Sequence, residues 1–164
     1  MNYHNITVDD MLNGDGLRTV LWVAGCDHHC QGCQNPQTWP ANSGIPFDEN
    51  AKAELFGYLS RDYISGITFS GGDPLYCKNR ETVGLLIPEI RERFPGKTIW
   101  LYTGYRWEEI KWLPFLDQID VLIDGRFVQA KADPQLHWRG SANQRVIDVP
   151  RKLAANSIVL HDDK

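Results

Sequence analysis

Three closely spaced cysteines carry the strongest chemical signal in the sequence. Cys26, Cys30 and Cys33 are separated by three and two residues, whereas Cys77 stands alone. Thiolates are the ligands that zinc and iron–sulfur clusters prefer, and a cubane cluster normally takes four of them. Three thiolates on one short loop therefore leave one metal position without a cysteine. A metal needs such an open position when it binds a substrate rather than only holding a loop.

A structural zinc site is the alternative interpretation of this loop. His28 or His29, which lie between the first two cysteines, could supply the fourth ligand. Zinc sites, however, usually combine two separated halves of the Cys-x2-Cys type. We expect the two histidines to lie on the loop surface, where electrons could enter, rather than to bind metal. Cys77 is expected to be a buried, inert thiol, as free cysteines usually are.

Four apolar runs predict the strands that position these cysteines. Each run is short, continuous and stopped by a glycine or a polar turn, which is typical of buried strands. The runs cover residues 19–24, 67–70, 98–102 and 121–123, and a last strand is predicted at 146–149.

Helices are predicted between these runs. Asp48 is placed to cap a helix that runs to about residue 60, and a short helix is predicted from about 107 to 113. Apolar residues keep a helical spacing over 79–94, where Pro88 predicts a kink or a later start. The alternation of strands and helices implies an α/β fold with a parallel sheet and right-handed crossovers.

The turns after the predicted strands are expected to meet at one edge of the sheet. In α/β folds, ligands bind at the carboxyl ends of parallel strands. The cysteine loop follows the first strand, and turns containing glycine follow the next three, at 71–73, 103–104 and 124–125. Gly-Gly-Asp-Pro is ordinary turn chemistry by itself. Beside a metal-binding loop, its bare backbone favours a ligand contact at Gly72.

Residues 26–33, with the letters CDHHCQGC, resemble the CxxxCxxC signature of the radical S-adenosylmethionine (SAM) superfamily. Further segments resemble one branch of it, the activating proteins of anaerobic ribonucleoside-triphosphate reductases. These segments are NGDG at 13–16, SGGDPL at 70–75, TGY at 103–105, DGRF at 124–127 and WRGSANQ at 138–144. The resemblance runs from the N-terminus to about residue 145, and its last segment is the one specific to the branch.

The resemblance implies that Cys26, Cys30 and Cys33 hold a [4Fe-4S] cluster whose fourth iron binds SAM. One electron from the cluster would cleave SAM to methionine and a 5′-deoxyadenosyl radical, which would take a hydrogen from a glycine of the large reductase subunit. No catalytic residue beyond the cluster and SAM is implied. The residues expected to contact SAM are Gly32, Cys33, Gln34 and Gly72.

The implied fold is an incomplete TIM-like barrel of about four to six parallel strands with flanking helices, in a single domain over 1–164. Such a barrel leaves one sheet edge open, and we expect the large reductase subunit to cover it. Reduced flavodoxin or a similar protein is implied as the electron donor. The alternatives are activation of another glycyl radical enzyme, such as pyruvate formate-lyase, and a non-catalytic zinc module that binds a protein.

Two positions depart from the pattern of this family. Gln34 follows the third cysteine, where an aromatic residue is common, so only a backbone contact to SAM is expected there. Asp15 stands where proline is common in the early glycine loop, which loosens that turn.

The remaining polar residues have ordinary interpretations beside functional ones. Arg18 is expected to be a surface charge at the start of the first strand. Arg139 and Arg145 could bind the SAM carboxylate, the partner's glycine loop or only water. Trp138 is expected to pack against the protein. Residues 150–164 lie outside the resemblance and are expected to form a surface strand or a frayed tail.

Composition excludes several other classes of protein. The chain has 17 Lys and Arg against 21 Asp and Glu, a net charge of −4, so it lacks the basic surface of a nucleic-acid binder. No apolar run approaches the ~20 residues that span a bilayer, and the first residues do not resemble a signal peptide. We therefore expect a cytoplasmic protein.

Overall fold

One seven-stranded mixed sheet organises the protein, seen in a computed structural model that describes residues 1–162. Its strands are β1 (Asn2–Asp10), β2 (Arg18–Val23), β3 (Ile45–Pro46), β4 (Gly66–Gly71), β5 (Thr98–Tyr102), β6 (Val121–Asp124) and β7 (Arg145–Asp148). The spatial order is β3-β1-β2-β4-β5-β6-β7. The central strands β2, β4, β5 and β6 are parallel, and the flanking strands pair antiparallel. The predicted α/β class is confirmed, with a parallel centre made from the four apolar runs.

The strands β1 and β3 were not predicted. The β1 segment, NYHNITVDD, is polar at most positions, and it lies at the side of the sheet with only two of its residues buried. A half-exposed antiparallel strand of this kind lacks the continuous apolar run that marks a buried parallel strand.

Within residues 1–162, four α-helices accompany the sheet, at α1 (Glu49–Leu59), α2 (Arg80–Arg93), α3 (Trp107–Ile110) and α4 (Val149–Ala155). The predicted cap of α1 is confirmed, because the Asp48 carboxylate accepts a hydrogen bond of 2.9 Å from the Ala51 amide. Helix α2 begins at Arg80 and contains Pro88 in its interior. The proline therefore does not delay the start of the helix, which was one of the two predicted effects.

The core lies between the helices and one face of the sheet. Alternate strand residues such as Leu21, Phe69 and Leu101 pack with Leu55 and Ile87 from the helices, and all five are wholly buried. A smaller cluster on the other face is formed by Trp100, Val121 and Ile123. No helix within residues 1–162 is long and apolar enough to cross a membrane.

The C-terminal segment differs from the expected surface strand or frayed tail. Residues 149–155 form α4, which Asp148 caps by accepting a 2.9 Å hydrogen bond from the Arg151 amide. The chain then turns back, and Ile147 of β7 forms an antiparallel bridge with Leu160. This segment covers part of the β7 edge of the sheet, and β3 forms the opposite edge. The last two positions of the tail, 163 and 164, lie outside the described residues.

His161 anchors this returning segment to the face of the sheet opposite the main core. Its ring lies edge-on to Trp100 at 5.1 Å between ring centroids, and its Nε2 is 2.8 Å from Oδ2 of Asp15. Asp15 is the residue that stands where the resemblance implied a proline. The position that departs from the pattern therefore has a specific contact with the segment outside the resemblance.

Arg18 is wholly buried, so the expectation of a surface charge was wrong. Its five hydrogen bonds go to neutral oxygens of Asp15, Ile67, Thr68 and Thr98. Burial lowers the pKa of its guanidinium to about 10, and the nearby Asp15 charge partly offsets this effect. Arg18 thus joins the early glycine loop to β4 and β5.

We predict that Arg18→Ala lowers the free energy of unfolding by about 3 kcal/mol, because it leaves several buried oxygens without donors. Urea denaturation of the metal-free protein measures this change. Arg61→Ala is the control, since the Arg61 side chain is exposed, donates to the Tyr63 hydroxyl and lies over the Tyr58 ring at the surface. Its effect should stay within about 0.5 kcal/mol. Similar losses in the two variants would contradict the structural role of Arg18.

Candidate functional site

A cavity of about 320 Å³ lies at the carboxyl ends of the four parallel strands. The turns predicted to meet at this edge all contribute to it. Its wall is formed by residues at or beyond the ends of these strands. They are Cys26, Cys30, Cys33 and Gln34 after β2, Gly71 at the end of β4 with Gly72 and Asp73 after it, Thr103 and Gly104 after β5, Gly125 and Phe127 after β6, and Gly140 and Gln144 before β7. Asn13 of the early glycine loop also lines it.

The cysteine loop, residues 26–33, leaves β2 at a sharp turn. Gly25 has a φ of 103°, a left-handed conformation that favours glycine. The amides of Gly25 and Cys26 donate to the carbonyls of Thr38 and Trp39, at 2.7 and 3.0 Å. These two bonds join the ends of the segment 25–39, and the three cysteines within it line the cavity.

The four cysteines are free thiols in two different environments. Cys26, Cys30 and Cys33 are half-buried in the cavity wall, whereas Cys77 is exposed, which corrects the expectation that it is buried. Burial raises the pKa of the Cys26 thiol to about 11, although backbone amides of His28 and His29 oppose the shift. In the metal-free protein Cys26 therefore keeps its proton at neutral pH, and a bound metal would displace it.

The glycines after β4 pack backbone against backbone. The Gly72 amide donates to the Val23 carbonyl at 2.8 Å, and the Asp73 amide donates to the Gly25 carbonyl at 2.8 Å. A Cβ on Gly72 would lie 2.6 Å from the Gly25 carbonyl oxygen, so this position requires glycine. The turn thus has a packing role, and it also presents its backbone to the cavity. Gly32, in contrast, lies against Gln129, which its Cβ would approach to 2.9 Å.

The Asp73 carboxylate connects several segments at the cavity, a role that the sequence analysis did not predict. It is 2% exposed, and its Oδ2 accepts hydrogen bonds from the Thr103 hydroxyl at 3.0 Å and the Gly104 amide at 2.9 Å. Its Oδ1 accepts from the Leu75 amide at 2.8 Å. The same carboxylate is 2.7 Å from His28 Nε2. The Gly-Gly-Asp-Pro motif predicted that Asp73 lies in the turn at the sheet edge. It did not indicate which residues would contact the carboxylate.

The two histidines of the loop have different environments. The His28 side chain is 3% exposed and lies edge-on to Tyr105 at 4.6 Å, so the expected surface position is wrong for this residue. His29 is exposed as expected, and its ring stacks on Trp39 at 4.4 Å. Cys26 Sγ, a His28 ring nitrogen and an Asp73 oxygen lie within 4.8 Å of one another.

The late arginines bind the protein itself. Arg145 Nη2 is 2.6 Å from Asp124 and 2.9 Å from Glu108, and hydrogen bonds to Asp124 raise the pKa of its guanidinium. Arg139 donates to the carbonyls of Ala142 and Gln144. Neither arginine is part of the cavity wall.

The remaining residues of the WRGSANQ segment also have structural contacts. Trp138 packs edge-on to Trp100 at 5.5 Å, as expected. The Gln144 amide group accepts from the amides of Gly140 and Ser141 and donates to the Gly125 carbonyl. Gln144 thus closes the loop between β6 and β7 at its base.

Comparisons with known proteins agree on one family. A family model described as a 4Fe-4S single cluster domain matches residues 12–147. A protein of Enterobacteria phage T4 is 49% identical over 146 residues, which cover 89% of this chain and 93% of the relative. Proteins of Escherichia coli K12 and Haemophilus influenzae are 45% and 43% identical, covering 89% and 88% of this chain and 97% and 96% of the relatives. All three relatives are named anaerobic ribonucleoside-triphosphate reductase-activating protein.

We predict that Arg145→Ala lowers the free energy of unfolding by about 2 kcal/mol, because it leaves the Asp124 carboxylate, 1% exposed, without its cation. Urea denaturation again measures the change. Arg106→Ala is matched to it, since Arg106 also pairs with Glu108 but is 64% exposed. That control should lose less than about 0.5 kcal/mol. Equal losses would mean that the pair with Asp124 contributes nothing specific.

Proposed function

Because this chain belongs to the family of anaerobic ribonucleoside-triphosphate reductase-activating proteins, we propose that it activates such a reductase by reductive cleavage of SAM, leaving a radical on a glycine of the reductase. The observation that supports this proposal most directly is the shared cavity. Three soft thiol donors and the exposed backbone of a glycine turn line the same space at the sheet edge.

The residues of the cavity fit an iron–sulfur cluster with one open iron. Cys26, Cys30 and Cys33 would each bind one iron of a [4Fe-4S] cluster, and the fourth iron would be left for SAM. Cavities of about 300 to 1,000 Å³ are typical of small-molecule sites, and this one lies at the lower end of that range.

In this proposal, SAM is bound by backbone groups rather than by side chains. Gly72, Cys33 and Gln34 line the cavity, and their peptide groups would bind the polar groups of methionine. Gly32 would act through the turn that carries Cys33. The Asp73 side chain is fully engaged by protein donors, so it would support the turn rather than bind SAM.

The bound cofactors would supply an electron and a 5′-deoxyadenosyl radical that abstracts hydrogen from the reductase glycine, while the protein binds, orients and shields them. No side chain is assigned a catalytic role of its own. The large reductase subunit would be the partner, and reduced flavodoxin or a similar protein would donate the electron. A cytoplasmic location and an incomplete barrel in a single domain over 1–164 are parts of the same proposal.

We predict that the protein, reconstituted anaerobically with iron and sulfide and reduced with dithionite, forms 5′-deoxyadenosine from SAM. Chromatography of the nucleoside product, with and without the reductase large subunit, measures this activity. Stimulation by the reductase, but not by pyruvate formate-lyase, would identify the target. An iron-loaded protein that yields no product even with the reductase would overturn the proposal. Bound zinc with no product would favour the zinc-module alternative.

We predict that Cys26→Ala, Cys30→Ala and Cys33→Ala each abolish stable cluster binding, because each thiolate would hold one iron and the cubane already has one thiolate fewer than usual. Cys77→Ala is the matched control, since this thiol is exposed and lies outside the cavity wall. Iron and sulfide content after desalting measures the outcome. Loss of the cluster in the control, with retention in one of the other three, would show that the ligands are assigned wrongly.

A further inference from the structure

We propose that His28 is a positioning residue that fixes the cysteine loop against the turn after β4. The contact itself is seen in the structure, at 2.7 Å between His28 Nε2 and Asp73 Oδ2. Its consequence for SAM binding rests on the function proposed above.

His28 provides the main polar connection between the cysteine loop and the strands. Within residues 27–33, the backbone–backbone hydrogen bond seen in the described part of the chain joins two residues of the loop itself. It runs from the Cys33 amide to the Cys30 carbonyl at 3.1 Å. The 2.7 Å contact from His28 Nε2 to Asp73 Oδ2 reaches a different element, 45 positions along the chain. Both side chains are almost fully buried, at 3% and 2% exposed, so water does not compete for this bond.

The partners of Asp73 determine the direction of the bond. The Thr103 hydroxyl, the Gly104 amide and the Leu75 amide all donate to this carboxylate, so its oxygens act as acceptors. His28 Nε2 must then carry the proton and donate. While Nε2 donates to this carboxylate, that nitrogen is not free to bind a metal.

Packing holds the His28 ring in this orientation. Tyr105 lies edge-on to it, and a Cβ on Gly104 would come within 2.4 Å of the ring, so Gly104 leaves room that only glycine provides. One ring is therefore held by contacts from the turns after β4 and β5. Cys26 Sγ lies within 4.8 Å of the same ring and carboxylate. His28 therefore acts together with the Asp73–Gly25 backbone hydrogen bond to fix the spacing between the first thiol and the turn that contains Gly72.

The geometry assigns separate consequences to the metal-free and the loaded protein. In the metal-free protein, His28→Ala should increase hydrogen–deuterium exchange in residues 26–33 and leave the exchange of α1 and α2 unchanged. In the reconstituted protein, it should weaken SAM binding by about tenfold or more, the usual effect of removing a residue that orients metal ligands. The change in the cluster's electron paramagnetic resonance spectrum on titration with SAM measures this affinity. Iron content, measured in parallel, shows whether the cluster is still present.

Two further variants separate positioning from a general loss of structure. His28→Gln keeps an N–H donor at a similar reach and should restore most of the SAM affinity. His29→Asn is the matched control in the same loop, because His29 is exposed and its φ of 49° is a conformation that asparagine tolerates. It should bind SAM like the unmodified protein.

The outcomes distinguish this inference from the proposed function. If the unmodified protein takes up iron but gives no spectral response to SAM, the proposed function fails, and the exchange measurement still tests the His28 contact. If the unmodified protein binds SAM and His28→Ala binds it equally well, the positioning role is overturned. It is also overturned if His28→Gln is as defective as His28→Ala, or if exchange of the loop does not change.

Discussion

The parallel pairing of β2 with β4 is the constraint on which the cavity depends. Its register places Val23 opposite Gly71, the last residues of the two strands. The chain after β2 and the chain after β4 therefore emerge side by side, and the amides of Gly72 and Asp73 donate to carbonyls at the end of β2 and in the turn that follows it. A shift of one residue would turn the buried side chains of β4 to the other face and separate these turns.

Buried polar groups stabilise the sheet at opposite ends of its central strands. At the amino end, the Arg18 cation is surrounded by neutral oxygens, and at the carboxyl end the Asp73 anion is surrounded by N–H and O–H donors. Burial of either charge is unfavourable by itself, and the complete set of hydrogen bonds offsets that cost. Each group connects three segments of chain that are distant in sequence. The loops at both ends are thereby ordered without long stretches of regular structure.

The sequence was sufficient to predict the parallel centre of the sheet and the edge at which its turns meet. Continuous apolar runs mark buried strands, and glycines mark the turns, so both signals are local. The polar strand β1 and the buried states of Arg18 and His28 were not predictable in this way. A charge at the start of a strand is usually solvated, and its burial depends on acceptors such as Thr98, 80 positions away. The helix α4 was missed because it is short and stabilised by the cap at Asp148 and by packing of Val149 in the core.

The contact between Asp15 and His161 has a consequence for the order in which the protein folds. These residues are 146 positions apart, so their pairing requires closure of a very long loop. Contacts of such sequence separation form slowly and late. During synthesis, the side of Trp100 that His161 covers stays exposed until residue 161 has been made. Core residues such as Ile147 and Val149 precede residue 161 in the chain, so they are synthesised before the residue that covers this side of Trp100.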